Sequence, residues 1–185
     1  MKPYEAEVRF FVDENFKEKL EKMGFVVKFE YSFEDLFFCP PDGWKGEGKT
    51  LRARNWGDEC EVLFTSVEKV KVGDVEFKRS KYPEGKVKLY EGSLKDCVQL
   101  LEDMEFVPCG VVKKEVGYIM SDGRAEVALE LINGRWVLEV EVKGEDPEAA
   151  ASEIREVARR LGLKNPISLS TFELFVKGTR TTSPS

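Results

Sequence analysis

The sequence predicts an α+β fold in which an antiparallel sheet or barrel carries helices packed on its outside. Segments that alternate polar and apolar residues outnumber the helical segments, and turn signals join most of them directly. Hydrophobic residues make up 42% of the 185 residues, which suits a domain with a core. We expect a single domain over residues 1–178 and a disordered polar tail over residues 179–185.

The chain is predicted to begin with a strand and a helix. Residues 5–12 start with the alternation that is typical of a strand. Asp13 is expected to cap a helix with the apolar residues Phe16, Leu20 and Met23. These three fall on one face, because residues three and four apart are neighbours on a helix surface. The glycine that follows ends the helix.

Strands are predicted for the next part of the chain. Residues 26–38 indicate strands with a turn near residues 32–35. Residues 51–54 and 61–65 predict a hairpin around a Trp-Gly-Asp turn, and residues 67–90 predict two further strands around Pro-Glu-Gly.

The second half is predicted to mix strands and helices. Ser93, with an acidic residue three positions later, is expected to open the second helix as in a capping box. The remaining elements are strands over residues 111–120, 125–132 and 136–143, a helix capped by Asp146 with Pro147 at its first position, and a short helix over residues 171–176.

The composition bounds the class of protein. Charged residues are 35% of the chain and Lys and Glu dominate, which favours a hyperthermophilic source. The net charge of −6 argues against general nucleic-acid binding, which needs a basic surface. No apolar run is long enough for a transmembrane helix, and no apolar run follows a basic start as in a signal peptide. We therefore expect a cytoplasmic protein without a membrane partner.

The four cysteines are Cys39, Cys60, Cys97 and Cys109. They contain no Cys-x-x-Cys pair, and the chain has no His, so a zinc site and His-based catalysis are not expected. We expect reduced, mostly buried thiols, as in most intracellular proteins. Hyperthermophile proteins are the exception, because their intracellular disulfides are common.

Two predicted strands carry the same acid-acid-base pattern on one face. Every second strand residue faces the same side, so the two faces hold Glu5, Glu7 and Arg9, and Glu139, Glu141 and Lys143. Divalent cations bind carboxylate oxygens, and phosphates bind Arg and Lys. A solvated outer sheet face is the alternative for any single strand. Crowded like charges need a counter-ion, so the repeated pattern favours a metal and polyphosphate site.

Other predicted strands add charges of both signs. Arg52 and Arg54 share one face of their strand, and Glu126 and Glu130 share a face of another. Lys113 lies in a third strand. The basic residues extend the candidate phosphate site.

These motifs resemble those of the CYTH domain, or triphosphate tunnel metalloenzymes. That family includes thiamine triphosphatases, inorganic triphosphatases, RNA triphosphatases and class IV adenylyl cyclases. The resemblance covers nearly the whole chain. In the first half of the chain it rests on Glu5-Ala-Glu-Val-Arg9 for Glu-x-Glu-x-Lys, Asp35-Leu-Phe-Phe38 for an Asp-x-Tyr-Phe-like strand, and Leu51-Arg-Ala-Arg54 for Leu-Arg-x-Arg. In the second half, Glu105-Phe-Val-Pro108 and Lys113-Lys-Glu115 resemble Gly-Phe-x-Pro and Lys-x-Arg, and Glu130 and Glu139-Val-Glu141 resemble the late acidic strand and the Glu-x-Glu strand. The ending from Leu161-Gly-Leu163 to Leu174 resembles the family's helix, Leu-Gly-Leu and short final helix.

The resemblance implies an eight-stranded antiparallel β-barrel, or tunnel, that holds Mg²⁺ or Mn²⁺ and a small-molecule triphosphate. By this reasoning the metal ligands are Glu5, Glu7, Glu130, Glu139 and Glu141, with Glu5 in a helping part. The triphosphate ligands are Arg9, Arg52, Arg54, Lys113 and Lys143. The implied function is metal-dependent hydrolysis of inorganic triphosphate, thiamine triphosphate or a nucleoside triphosphate, by a monomer or a homodimer.

Two departures from the family pattern affect the basic wall. Val67 stands where the family has Lys, and Glu115 stands where it has Arg. Lys69 and Lys71 are expected mainly in solvent, although either could substitute for the lost Lys. A class IV-type adenylyl cyclase and a non-catalytic module that binds polyphosphate or nucleotide are therefore alternatives to the hydrolase. A structural domain with solvated strand faces is a further alternative.

Overall fold

The computed structural model describes residues 4–176, so the predicted tail at 179–185 lies outside the described residues. The strands are β1 (Tyr4–Phe11), β2 (Val26–Cys39), β3 (Lys49–Asn55), β4 (Cys60–Val72), β5 (Val75–Ser80), β6 (Val87–Gly92), β7 (Val107–Ser121), β8 (Glu126–Ile132) and β9 (Arg135–Gly144). The helices are α1 (Phe16–Lys22), α2 (Leu94–Asp103), α3 (Pro147–Leu161) and α4 (Thr171–Phe175). Among the described residues no helix is long and apolar enough to cross a membrane.

Eight of the strands close into a ring around a tunnel. Hydrogen-bonded neighbours follow the order β3-β2-β7-β8-β9-β1-β5-β4, and pairing of β3 with β4 completes the circle. All of these pairings are antiparallel, and β6 joins β4 beside the ring. The predicted eight-stranded antiparallel tunnel is therefore confirmed. The ring is not a regular barrel, because register shifts interrupt the β2–β7 and β7–β8 pairings.

Three helices pack against the outside of the ring, as predicted. Val8 of β1 and Val140 of β9 point outward and form a buried cluster with Leu20 of α1 and Ile154 of α3. On the opposite wall α2 contributes Leu101 to a second cluster with residues of β3 and β4. The alternation along each strand thus buries apolar side chains outside the ring and leaves the other face for the tunnel.

The fourth helix, α4, closes one end of the tunnel. Phe37 of β2 and Val137 of β9 face inward there, and both are buried in a cluster with Phe172 of α4. The rings of Phe37 and Phe172 lie 5.0 Å apart. A Cβ on Gly110 of β7 would overlap Val176, so glycine is needed for α4 to approach the strand.

The helix ends follow the predictions except at α1. Asp146 accepts a hydrogen bond from the Glu148 backbone N–H, and α3 ends at Gly162 with a φ of 65°. The prediction that Asp13 caps α1 was wrong. Asn15 is the residue before the helix, and the Asp13 carboxylate instead accepts from the Asn15 backbone N–H at 3.0 Å.

Two strand boundaries also differ from the predictions. Residues 26–38 do not contain a turn but belong to the single strand β2, which absorbs the irregularity as register shifts against β7. Residues 67–72 continue β4 beyond the predicted end at residue 65. The turn to β5 is formed at Gly73, which has a φ of 61°.

The expectation of four reduced cysteines was wrong for one pair. Cys39 and Cys109 form a disulfide, whereas Cys60 and Cys97 are free and buried. The bonded residues are 70 positions apart in the chain. The pairing of β2 with β7 brings the end of one strand beside the start of the other, with their Cα atoms 5.9 Å apart. Sequence spacing gives no sign of that proximity.

We expect the disulfide to stabilise the fold. Reduction should lower the free energy of unfolding by about 2–4 kcal/mol, because the bond restricts the unfolded chain. The measurement is the melting temperature with and without dithiothreitol, for the wild type and for Cys39→Ser. The variant should melt near the reduced wild type and show no response to the reductant. An equal response of both proteins would contradict the expectation.

Candidate functional site

A charged cavity of ≈ 370 Å³ occupies the inside of the ring. Polar and apolar residues from the strands and from the start of α4 line it. Its ionisable side chains are of both signs: the acids are Glu5, Glu7, Asp35, Glu126, Glu130, Glu139 and Glu141, and the bases are Arg9, Arg52, Arg54, Lys78, Lys86 and Lys114. So many charges inside a ring require close pairing or a charged ligand.

The pairing of β1 with β9 builds the acidic wall of the cavity. Glu7 stands opposite Glu141, and Arg9 stands opposite Glu139. Carboxylate oxygens of Glu7, Glu139 and Glu141 all lie within 4.8 Å of one another. Three convergent carboxylates are a donor set that hard divalent cations accept, so these residues fit a Mg²⁺ or Mn²⁺ ion.

The protonation of these carboxyls shows how unfavourable their crowding is without a cation. Burial, with the nearby Glu7 and Glu130 carboxylates, raises the pKa of Glu139 to about 8 against the opposing charge of Arg9. Burial, with Glu5 and Glu7 nearby, raises the pKa of Glu141 to about 7. A bound divalent cation would favour the ionised form of both groups.

Glu7 differs from its two partners because cations already surround it. Although burial alone would raise its pKa, Arg9 and Lys78 hold the pKa of the Glu7 carboxyl far below its usual range. Lys78 of β5 is buried, stands opposite Glu7 and donates to it. Arg9 contacts Glu139 at 2.6 Å and donates to the Leu169 carbonyl at 3.0 Å. Glu7 thus joins the acidic wall to the basic side chains.

Arg52 and Arg54 of β3 form the basic wall. Arg54 makes a bidentate ion pair with the buried Asp35, at 2.9 and 3.0 Å. Arg52 donates to the hydroxyls of Thr50 and Thr65 at 3.1 and 3.0 Å, and its Nε lies 3.5 Å from Asp35. Burial and the neighbouring Arg54 lower the pKa of Arg52 to about 10. Two guanidinium groups thus share one carboxylate, which leaves positive charge for an anion.

Unused hydrogen-bond donors mark the same region. Within residues 4–176, the buried Nε atoms of Arg9 and Arg52 have no hydrogen-bond partner. A buried donor without a partner is unfavourable by about 1–3 kcal/mol, so such atoms need an explanation. Phosphate oxygens are acceptors that guanidinium groups bind strongly. Both arginines line the cavity, so a bound phosphate would meet their positive charge.

Glu130 is buried in the cavity wall and has two close partners. It accepts a hydrogen bond from Tyr31 at 2.8 Å and contacts Lys114 at 2.6 Å. A Cβ on Gly117 would overlap the Tyr31 ring, so glycine makes room for this contact. Glu5 and Glu130 line the cavity but lie outside the three-carboxylate group, and their part in metal binding stays a prediction.

The structure brings Lys114 to the cavity instead of the predicted Lys113. Between Lys114 and residue 116 the β7–β8 register shifts by one residue. A bulge of this kind reverses which side chains face the tunnel. Gly117 and Ile119 therefore face inward on one side of the bulge and Lys114 on the other, whereas Lys113 and Glu115 are exposed. The acidic replacement at position 115 therefore does not enter the cavity.

The other basic residues considered from the sequence do not line the cavity. Lys143 is on the cavity-facing side of β9 but beyond the lining, 59% exposed and 3.8 Å from Glu141. Lys69 contacts Glu173 at 4.0 Å, and neither Lys69 nor Lys71 lines the cavity. Val67 does line it. The cations that sequence reasoning missed are Lys78, Lys86 and Lys114.

Lys78 could have been found from the pattern of β5. Val75 and Phe77 are apolar and face the outer core, so alternation places Lys78 and Ser80 inside the ring. The register that sets Lys78 beside Glu7 is a tertiary feature, which no local pattern contains.

The chain is similar to a known family and to solved structures. A model of the CYTH domain family matches residues 3–171. No curated protein matches the sequence. Similar solved structures support the fold. The PH1012 protein from Pyrococcus horikoshii OT3 has a TM-score of 0.71 and 25% identity, over 92% of this chain and 98% of that one.

Two of the similar structures carry names that refer to adenylate cyclase. A putative adenylate cyclase from Vibrio parahaemolyticus has a TM-score of 0.67 and 19% identity, over 94% of this chain and 98% of its own. HpAC1 from Hippeastrum, a putative adenylyl cyclase described as having a dominant triphosphatase activity, has a TM-score of 0.64 and 15% identity, over 95% and 96%.

We expect the metal-free protein to lose stability as the pH rises from about 5 to 8. Folded Glu139 and Glu141 keep protons at pH values where the unfolded chain, with carboxyl pKa values near 4.5, has released them. The folded state thus binds more protons, so its stability falls with rising pH. Melting temperatures in EDTA across this range test the expectation, and Mn²⁺ should raise them most at the upper end.

The control for this pH dependence is the double variant Glu139→Gln, Glu141→Gln. It removes both titrating groups while it keeps their size, so its melting temperature should vary less with pH. A wild-type melting temperature that stays constant between about pH 5 and 8 in EDTA would contradict the assignment of raised pKa values.

Proposed function

The chain belongs to the CYTH domain family, and from this premise we propose that it hydrolyses a small-molecule triphosphate with Mg²⁺ or Mn²⁺. The observation that carries the proposal is the charge arrangement of one cavity. Three convergent carboxylates lie on one wall, and two guanidinium groups that share one buried carboxylate lie on another. A metal–triphosphate complex has the complementary arrangement, a cation joined to a chain of anions.

The proposed metal ligands are Glu7, Glu139 and Glu141. When bound, the ion would neutralise phosphate charge and so make the terminal phosphoryl group easier to transfer. Glu5 and Glu130 are proposed to support this group from the cavity wall.

The proposed phosphate ligands are the buried or lining cations Arg9, Arg52, Arg54, Lys78 and Lys114. Their positions are fixed before a ligand arrives, by ion pairs and by hydrogen bonds to hydroxyl and carbonyl groups. Fixed donors stabilise the charge that develops during phosphoryl transfer without reorganising. Lys114 takes the place that the sequence pattern suggested for Lys113.

The structure gives less support than the sequence does to the alternative of a non-catalytic binding module. That reading depended on Val67 and Glu115 in place of basic residues. Glu115 is exposed, and Lys78 and Lys114 add two cations to the wall, so the cavity keeps basic side chains despite the two replacements. A class IV-type cyclase would use the same site with the ribose hydroxyl as the nucleophile. It is separated from a hydrolase by its product.

We expect metal-dependent phosphate release from tripolyphosphate, thiamine triphosphate or ATP. Glu139→Gln should reduce the rate by about 10- to 100-fold or more, because it removes a charged metal ligand. Phosphate and cyclic AMP are measured together, with Mg²⁺ or Mn²⁺ and at both moderate and high temperature. If cyclic AMP were the main product, the protein would be a cyclase and not a hydrolase. If the protein bound these ligands tightly but formed neither product, it would be a non-catalytic binding module.

A pair of neighbouring variants tests the basic wall. Lys114→Ala should lower kcat/KM by about tenfold or more, because it removes a cation from the cavity and the ion-pair partner of Glu130. Lys113→Ala, one residue away on the exposed side of β7, should leave kcat/KM nearly unchanged. Melting temperatures of both variants control for folding. The opposite ranking would mean that the bulge does not set the inward face.

A further inference from the structure

The charged cavity contains an apolar strip that the phosphate and metal residues do not use. Phe29, Tyr31 and Phe33 alternate along β2 and all line the cavity. Their rings form a ladder, with centroids 6.0 and 5.7 Å apart and interplanar angles of 23° and 12°. Ile119 and Ala128 continue the apolar lining on β7 and β8. We call these five residues the aromatic shelf.

The inner end of the aromatic shelf is covered by protein. The Arg54 guanidinium lies 3.9 Å from the centre of the Phe33 ring, and Trp56 packs edge-on against that ring at 4.8 Å. Tyr31 is fixed by its hydrogen bond to Glu130. These contacts anchor the two inner rings of the ladder beside the proposed phosphate site.

The outer end of the shelf is open. Phe29 is 59% exposed although it lines the cavity. It belongs to the entrance, because it lies on β2 far from Phe37, which packs against α4 at the closed end. An aromatic ring that stacks on its neighbour and is presented to solvent favours a planar ligand, because two flat rings bury apolar area at little entropic cost.

Strand pairing leads from Phe29 to the proposed metal site. Phe29 stands opposite Ile119, Ile119 opposite Ala128, and Ala128 opposite Glu139. These four side chains form one row across the inner wall of the ring. A ligand whose ring lies on the shelf can thus extend its phosphates towards Glu139 and towards Arg54 without leaving the wall.

We propose that Phe29 is a specificity-determining residue, whose ring at the entrance stacks on the aromatic heterocycle of a triphosphate ester and so favours that ester over inorganic tripolyphosphate. The inference rests on the proposed function, since it assigns a specificity-determining residue to that same site. Inorganic tripolyphosphate has no group for the shelf to contact. It therefore binds through the charged residues alone and with lower affinity.

The test compares ligands with and without a ring on the wild type and on Phe29→Ala. The probes are adenosine 5′-(β,γ-imido)triphosphate, thiamine triphosphate and inorganic tripolyphosphate. Each is titrated into the protein by calorimetry, with Mn²⁺ and at low temperature. Phe29→Ala should weaken at least one ring-bearing probe about fivefold or more, the usual effect of losing one aromatic stack, and leave tripolyphosphate nearly unchanged. Phe29→Tyr should keep the wild-type affinity.

The matched control is Leu89→Ala, which truncates a 50% exposed apolar residue on β6, outside the ring. It should leave every affinity unchanged. Equal losses for ring-bearing and inorganic probes, or no loss for any of them, would overturn the stacking role. A change of oligomeric state in Phe29→Ala, measured by sedimentation, would also overturn it and assign the shelf to a protein contact. Failure of the wild type to bind any probe would remove the proposed function itself.

Discussion

The pairing of β1 with its two neighbours is the constraint on which the site depends. Glu7 lies between Lys78 of β5 and Glu141 of β9, so one strand brings a buried cation and a second carboxylate to the same carboxylate. A buried charge is tolerated only with partners, and here the partners come from both sides of the strand. The ring geometry follows from the same pairing, because outward apolar residues of β1 and β9 form the core under α1 and α3.

The sequence was sufficient for the architecture and for the acidic wall. Regular alternation holds over β1 and β9, so the inward positions of Glu7, Arg9, Glu139 and Glu141 could be predicted from spacing alone. The same prediction from alternation failed at β7, where a bulge places Lys114 on the inner face and Lys113 on the outer face. Gly117 beside the bulge is a local sign that a strand can be irregular, but the position of the extra residue is set by pairing with the neighbouring strands.

Long-range register explains the other differences between prediction and structure. The Cys39–Cys109 disulfide and the contact of Lys78 with Glu7 both join residues about 70 positions apart, and neither can be read from local periodicity. The cavity is also more basic than the two family replacements suggested, since cations absent from the recognised motifs compensate for Val67. Electrostatic balance is thus a property of the folded ring rather than of any one motif.

The apolar plug formed by α4 has a consequence for the kinds of molecule that the ring can process. Within residues 4–176, Phe172 and its partners fill the end of the ring beyond Arg9. A blind channel cannot be threaded, so a polymer could present only its terminus, and the interior bonds of a long chain would stay outside. Under the proposed function, the depth of the channel would limit how many phosphate units reach the carboxylates. Products would then have to leave through the same opening by which the next substrate molecule enters.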